Sequence, residues 1–189
     1  MSLHPTLWRT CRVLAGETRL QLLRRVSNHP GHSVSDLADA GGISRPRASQ
    51  ELRRLQSRGL LQAVRIGRMV RYQPVPDALV PTAAPLLAAS QAVFRRYSRS
   101  SGLRFAEIAV AFSHPRRIAI VAELIHSPRT AASLRQATGI PWRALKRHLR
   151  VLRNRQLVVC QRGRYYFRPG GHPLACCLAR IIRDSFSTG

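Results

Sequence analysis

The chain has 189 residues, and its 32 Lys+Arg against 8 Asp+Glu leave a net charge of +24, an excess that opposes compaction unless a polyanion neutralises it. Lys146 is the sole lysine, and because arginine's planar fork suits phosphates and guanine edges, the expected partner is nucleic acid. A hydrophobic content of 44% excludes a disordered chain and fits two modest domains; no run of about 18 apolar residues offers a membrane span, and residues 1–10 do not read as a secretory leader, so a cytoplasmic protein is expected.

From Glu17 to Val26, Leu20, Leu23 and Val26 share one face of an amphipathic helix, which Asn28-His29-Pro30-Gly31 stops. Ser33-Val34-Ser35-Asp36 predicts a capping box opening a short helix to Ala40. Gly41-Gly42 supplies the turn to a third helix, with Ser44 as its cap and Pro46 in the first turn, where no intrahelical donor is lost. Ala48, Leu52 and Leu55 form its buried stripe. From Leu60 the period shifts toward two, and Ile66-Gly67-Arg68 predicts the tip of a hairpin returning through Val70 and Tyr72. Helix, turn, basic helix and hairpin make a winged helix-turn-helix. An apolar helical stretch from Asp77 to Tyr97 follows, then a polar hinge from Ser98 to Gly102.

The second half repeats this plan. Phe112 to Phe167 aligns with Leu14 to Tyr72 with single-residue slips, Thr18-Arg19-Leu20 answering to Arg116-Arg117-Ile118 and Gly42-Ile43 to Gly139-Ile140. Ala119 to Ile125 predicts the first helix, Ser127-Pro128 breaks it, and Thr130 caps a short helix to Ala137. Pro141-Trp142 opens the basic helix without an N-cap hydroxyl, and Leu145, Leu149 and Leu152 are its core stripe. A hairpin turning at Gly163 and a last apolar helix from His172 to Phe186 complete the chain. The expected fold class is mainly α with small β-hairpin wings, as two winged helix-turn-helix domains in tandem. Residues 1–76 and 105–170 are the two domains, 77–104 the connecting helix and hinge, and 171–189 a C-terminal helix.

Recognition helices read base edges while wings meet the backbone. The candidate DNA contacts are therefore Ser44, Arg45, Arg47, Ser49, Gln50, Arg53 and Arg54 on the first basic helix, with Arg68 and Arg71 on its wing. Their counterparts are Arg143, Lys146, Arg147 and Arg150, with Arg162 and Arg164 on the second wing. Arg19 and Arg117 are read instead as structural groups contacting the protein's own carboxylates, and Trp142 as packing against a neighbouring domain. Glu51 and His148 share a position, where an exposed histidine is expected. Tyr72, Tyr165 and Tyr166 brace the hairpins.

Catalysis is not expected. The carboxylates are scattered, no glycine-rich phosphate loop follows a strand, and no cofactor is implied. Cys11, Cys160, Cys176 and Cys177 form no C-x-x-C pair and read as free thiols. His172 and Cys176 stand one helical turn apart, but two ligands are too few for a metal.

Ala15-Gly16-Glu17-Thr18-Arg19-Leu20, Ser33-Val34-Ser35-Asp36-Leu37, the helix from Ser44 to Leu52 and Gly67-Arg68-Met69-Val70-Arg71-Tyr72 together resemble the ArsR/SmtB-type repressors. The resemblance covers nearly all of residues 7–76 and, more loosely, 105–169, where Lys146-Arg147-His148-Leu149 is similar to a family tetrapeptide. It implies a repressor that binds double-stranded DNA as a homodimer and releases it when a metal or metabolite binds. Arsenic-sensing members carry cysteines where this chain has Ser33 and Ser35, and a hydroxyl cannot replace a thiolate toward a soft metal. In that family the terminal helices make the dimer interface, so two units and two such helices in one chain imply a single-chain pseudodimer. A homodimer in which the second copy serves only assembly is the competing arrangement, and an architectural or RNA-binding protein the competing function.

Overall fold

The apolar stripes read from the sequence are buried. The computed structural model describes residues 7–96 and 100–187, which divide into two compact units, one of residues 13–106 and one of residues 7–12 with 107–187.

The first unit contains α2 (Glu17–Asn28), α3 (Val34–Gly41), α4 (Arg45–Gln56), the hairpin of β1 (Gln62–Ile66) and β2 (Met69–Gln73), and α5 (Ala83–Arg96). The helix α1 (Leu7–Leu14) precedes them. Leu20, Leu23 and Val26 of α2, Leu37 of α3, and Ala48, Leu52 and Leu55 of α4 are buried, and the three helices pack pairwise. Each of these leucines, and Val26, contributes about 1.5–3 kcal/mol of burial. The predicted capping box is present: Ser33 Oγ accepts from the Asp36 amide at 3.2 Å, and Asp36 Oδ2 accepts from the Ser33 amide at 2.9 Å. These bonds serve amides that a helix start leaves without intrahelical partners, and they hold the Asp36 carboxyl below its ordinary value.

The hairpin pairs Gln62 with Gln73 through to Ile66 with Met69. Its base is tied to the α2–α3 loop, where the Gly31 amide donates to Tyr72 O at 3.1 Å and the Tyr72 amide to His32 O at 3.4 Å. Gly59, just past α4, has φ +69°, and a Cβ there would lie 3.0 Å from the Cβ atoms of Asp77 and Val80. Its carbonyl accepts from the Asp77 amide at 2.9 Å, so the missing side chain lets the entry to α5 close on the end of α4.

The second unit contains α7 (Pro115–His126), β3 (Arg129–Thr130), α8 (Ala131–Thr138), α9 (Trp142–Asn154), β4 (Val158–Gln161), β5 (Arg164–Phe167) and α10 (Pro173–Ser187). Three helices followed by a hairpin thus recur. Thr130 Oγ1 accepts from the Ser133 amide at 3.2 Å, as predicted, and Pro141 precedes α9 with no side-chain cap. The short β3 pairs with β5, giving a sheet of order β3-β5-β4. Leu7 and Cys11 of α1 are buried in this unit, as are Leu174, Leu178 and Ile182 of α10. Burial first, then the nearby Cys177 thiol, pushes the Cys11 thiol far above its ordinary value.

Two helices were not expected. One is α1; the other is α6 (Ser100–Phe112). Of the expected hinge, residues 98 and 99 lie outside the described residues, while Ser100, Ser101 and Gly102 open α6. Phe105, Ile108, Ala109 and Phe112 are all buried at helical spacing, and that stripe outweighs the roughly 1 kcal/mol that one glycine costs.

Candidate nucleic-acid interface

Packing the stripe of α4 inward turns its polar faces outward. Ser44, Arg45, Arg47, Gln50, Arg53 and Arg54 are exposed and Ser49 is half-buried. Ser44 Oγ accepts from the Arg47 amide at 3.4 Å, so its hydroxyl sets the helix start. Pro46, Ser49, Gln50, Arg53, Arg54 and Ser57 line a shallow groove of about 510 Å³ along this helix.

Glu51 is the only acid in α4, and it is buried. Arg19 Nη1 donates to Glu51 Oε2 at 2.7 Å, and Arg54 Nη1 donates to both carboxylate oxygens at 3.1 and 3.2 Å. Burial pushes the Glu51 carboxyl up, but the Arg19 hydrogen bond and the charges of Arg19 and Arg54 outweigh it and leave the group below its ordinary value. Arg19 Nε also donates to Val13 O at 2.6 Å. Arg19 therefore has the structural role read from its position. The lone acid in a basic helix was the signal that could have paired them.

On the first wing Arg68 is exposed at the turn, whereas Arg71 is half-buried and donates from Nη1 to Gly31 O at 2.8 Å, pinning the base of the hairpin. Val64, Ile66, Met69 and Val70 of this hairpin are exposed, an apolar surface beside the expected basic contacts.

In the second unit Arg143, Lys146, Arg147 and Arg150 are exposed along α9. Arg162 and Arg164 are exposed at the hairpin turn, Arg162 in the left-handed region at φ +49°. A groove of about 480 Å³ runs past Arg150, Arg153, Asn154 and Cys160. Trp142 is exposed rather than packed, and Lys146 Nζ lies 4.8 Å from its ring centroid, a cation–π contact.

His148 departs most from expectation. It is 2% exposed, its ring lies 4.5 Å from that of His114, and neither ring nitrogen has a hydrogen-bond partner. Burial, then the charges of His114, Arg117, Arg147 and Arg116, hold its pKa down at about 4. Arg117 Nε donates to Ala111 O at 2.5 Å, the carbonyl six residues back, as Arg19 Nε does to Val13 O, but with histidine in place of the Glu51 carboxylate its Nη2 donates to Val110 O at 2.7 Å. Arg117 is structural, but its partners are carbonyls closing α6 rather than a carboxylate.

Cys11 and Cys177 are buried, whereas Cys160 and Cys176 are exposed. His172 Nδ1 accepts from the Leu174 amide at 3.2 Å at the start of α10. Among the described residues no group of three His, Cys, Asp or Glu is placed to hold a metal, and no helix is long and apolar enough to cross a membrane.

The MarR family model matches residues 17–67, from the start of α2 to the turn of the first wing. No curated protein and no solved structure matches the chain. The match bears on the fold and not on an ArsR/SmtB subtype. Residues 17–67 are a DNA-binding module of the winged helix-turn-helix kind that transcription regulators carry, and not part of an enzyme's catalytic centre.

Proposed function

We propose that the protein is a cytoplasmic transcriptional repressor of ArsR/SmtB-like type that reads double-stranded DNA with both units, α4 and α9 being its recognition helices and the two hairpins its wings. The observation that carries this reading is the shared design of α4 and α9. Each buries a leucine stripe and leaves a dense basic face exposed, at matching positions of two units that share an order of three helices and a hairpin. Residues 1–76 and 105–170 are taken as the two reading domains, except that residues 7–12 belong to the unit of the second, with 77–104 and 171–189 supplying the helices of a single-chain pseudodimer. Because Ser33 and Ser35 stand where thiolates would be needed, and Ser33 Oγ is held in its cap, the inducer is not a soft metal at α3.

The operator expected of a pseudodimer has two unlike half-sites about one helical turn, ~34 Å, apart. Footprinting of a site selected by the full chain, with light scattering of the complex, tests this. Arg47→Ala with Gln50→Ala should cost about 1–3 kcal/mol per lost base contact in one half-site, and Arg143→Ala with Arg147→Ala should do so in the other. Two chains per site, or no response to the second pair, would make the protein a homodimer in which residues 105–189 serve assembly. The net charge of +24 favours a second reading, an architectural or RNA-binding protein held mainly by charge. That reading is the correct one if specific and non-specific affinities at physiological salt differ by much less than about 10³.

A further inference from the structure

The first wing ends in an apolar tip. Ile66 is 54% and Met69 51% exposed, and the two are direct cross-strand partners on either side of the Gly67-Arg68 turn. Cross-strand partners lie side by side on one face of a hairpin, so Ile66 and Met69 form a single blade. Gly67 has open space where a Cβ would stand, which keeps the tip narrow. Cations flank the blade: Arg68 is exposed in the turn, and exposed Arg65 donates from Nε to Gly67 O at 3.4 Å.

The hairpin fold does not require this apolar tip. The equivalent hairpin of the second unit turns through Gln161-Arg162-Gly163-Arg164, and none of its residues is among the exposed large hydrophobic side chains. An apolar blade between arginines matches a surface that offers phosphates on both sides of a stacked, apolar interior. A second copy of the chain would bring the same arginines against one another in a molecule of net charge +24. A duplex minor groove meets both requirements, because wedges of this residue type enter between base steps and kink the helix.

We infer that the first wing is a minor-groove wedge, in which Ile66 and Met69 part a base step while Arg65 and Arg68 hold the flanking phosphates, and that the second wing grips the backbone without entering it. The inference rests on the DNA-binding reading and deepens it. The step beneath the wedge is a pyrimidine–purine step, TA or CA/TG, since these unstack most easily. The wing thus selects sequence by deformability at a position where no base edge is hydrogen-bonded.

The test uses the full chain and a duplex that it selects from a random-sequence pool. The bend is read by energy transfer between end labels, and unstacking by 2-aminopurine placed at successive steps under the footprint. The wild-type complex should be kinked by about 20–90° with one bright step. Ile66→Ser with Met69→Ser, both at exposed positions, should straighten the duplex and quench that step while leaving the salt dependence of binding unchanged. Arg65→Ala with Arg68→Ala should instead reduce the log–log salt slope by about 2. A wild-type complex on straight DNA, or a bend that survives the serine substitutions, overturns the wedge and leaves the regulator reading intact. A serine variant whose mass in DNA-free light scattering falls below that of the wild type assigns the tip to a second copy and also overturns it. A wild-type chain that selects no duplex refutes both readings.

Discussion

Acidification from pH 7.5 to 5 should destabilise the unit that contains α9, through His148. In the folded protein that ring is held at about 4 against an ordinary 6.5, by burial first and then by the neighbouring positive groups. The folded value is depressed, so the unfolded chain takes up the proton first as the pH falls through 6.5. Stability that is complete above 6.5 is lost progressively down to about 4. At pH 5 the whole depression corresponds to about 2 kcal/mol, and since the surrounding arginines reach solvent, where salt screens them, about 1–2 kcal/mol is expected. His114, whose pKa is also lowered, chiefly by burial, adds in the same direction. Asp36 and Glu51 do not confuse the window, because their ordinary values are 3.8 and 4.5 and both are lowered in the folded state. Both tryptophans, Trp8 and Trp142, belong to this unit, so thermal melts followed by tryptophan fluorescence report on it alone. The midpoint should fall by roughly 5–10 °C between pH 7.5 and 5, and His148→Leu should flatten most of that dependence. Identical midpoints at the two pH values, or a leucine variant that keeps the wild-type slope, would refute the reasoning.

Gly59→Ala should destabilise residues 13–106 by about 2–4 kcal/mol, combining the left-handed backbone with the crowding against Asp77 and Val80. Gly67→Ala, at a similar φ in open space, should cost about 1 kcal/mol; urea unfolding of the two variants gives the comparison. Glu51→Ala should cost about 1–3 kcal/mol by removing the carboxylate that Arg19 and Arg54 share, and a double-mutant cycle with Arg19→Ala should show coupling above about 0.5 kcal/mol. Arsenite, zinc and cadmium should leave a DNA complex intact in a mobility-shift titration, and release at stoichiometric metal would redirect attention to His172, Cys176 and Cys177.

Much of the fold was legible because its determinants are local. The Ser33–Asp36 box, the Ser44 and Thr130 caps and the leucine stripes of α4 and α9 each combine residue type with helical spacing, and all are present. What escaped reading depends on partners distant in sequence. The helix α6 was hidden behind Ser100, Ser101 and Gly102, since its apolar residues count as a stripe only when something covers them. His148 carries a polar label, and so does Glu51 at the equivalent position; both are buried because that position faces α2 in one unit and the start of α7 in the other, which residue type alone does not show. In the candidate interface the exposed arginines of α4 and α9 were readable from the spaces between stripe positions. The inward commitments of Arg54 to Glu51 and Arg71 to Gly31 were not, because an arginine's sequence context does not say which of its donors are already occupied.

The unit that holds α9 is discontinuous along the chain: residues 7–12 complete it together with residues 107–187, and residues 13–106 are inserted between them. Synthesis from the N-terminus delivers those pieces at different times. The inserted unit has all its helices before α7 has been made, so it can close while translation continues. Cys11, which lies near the Cys177 thiol of α10, must wait for α10 to emerge before its surroundings are complete. The earliest part of the described chain to leave the ribosome is thus among the last to find its place, and a nascent chain arrested before Pro173 would hold one finished unit and one unfinished one.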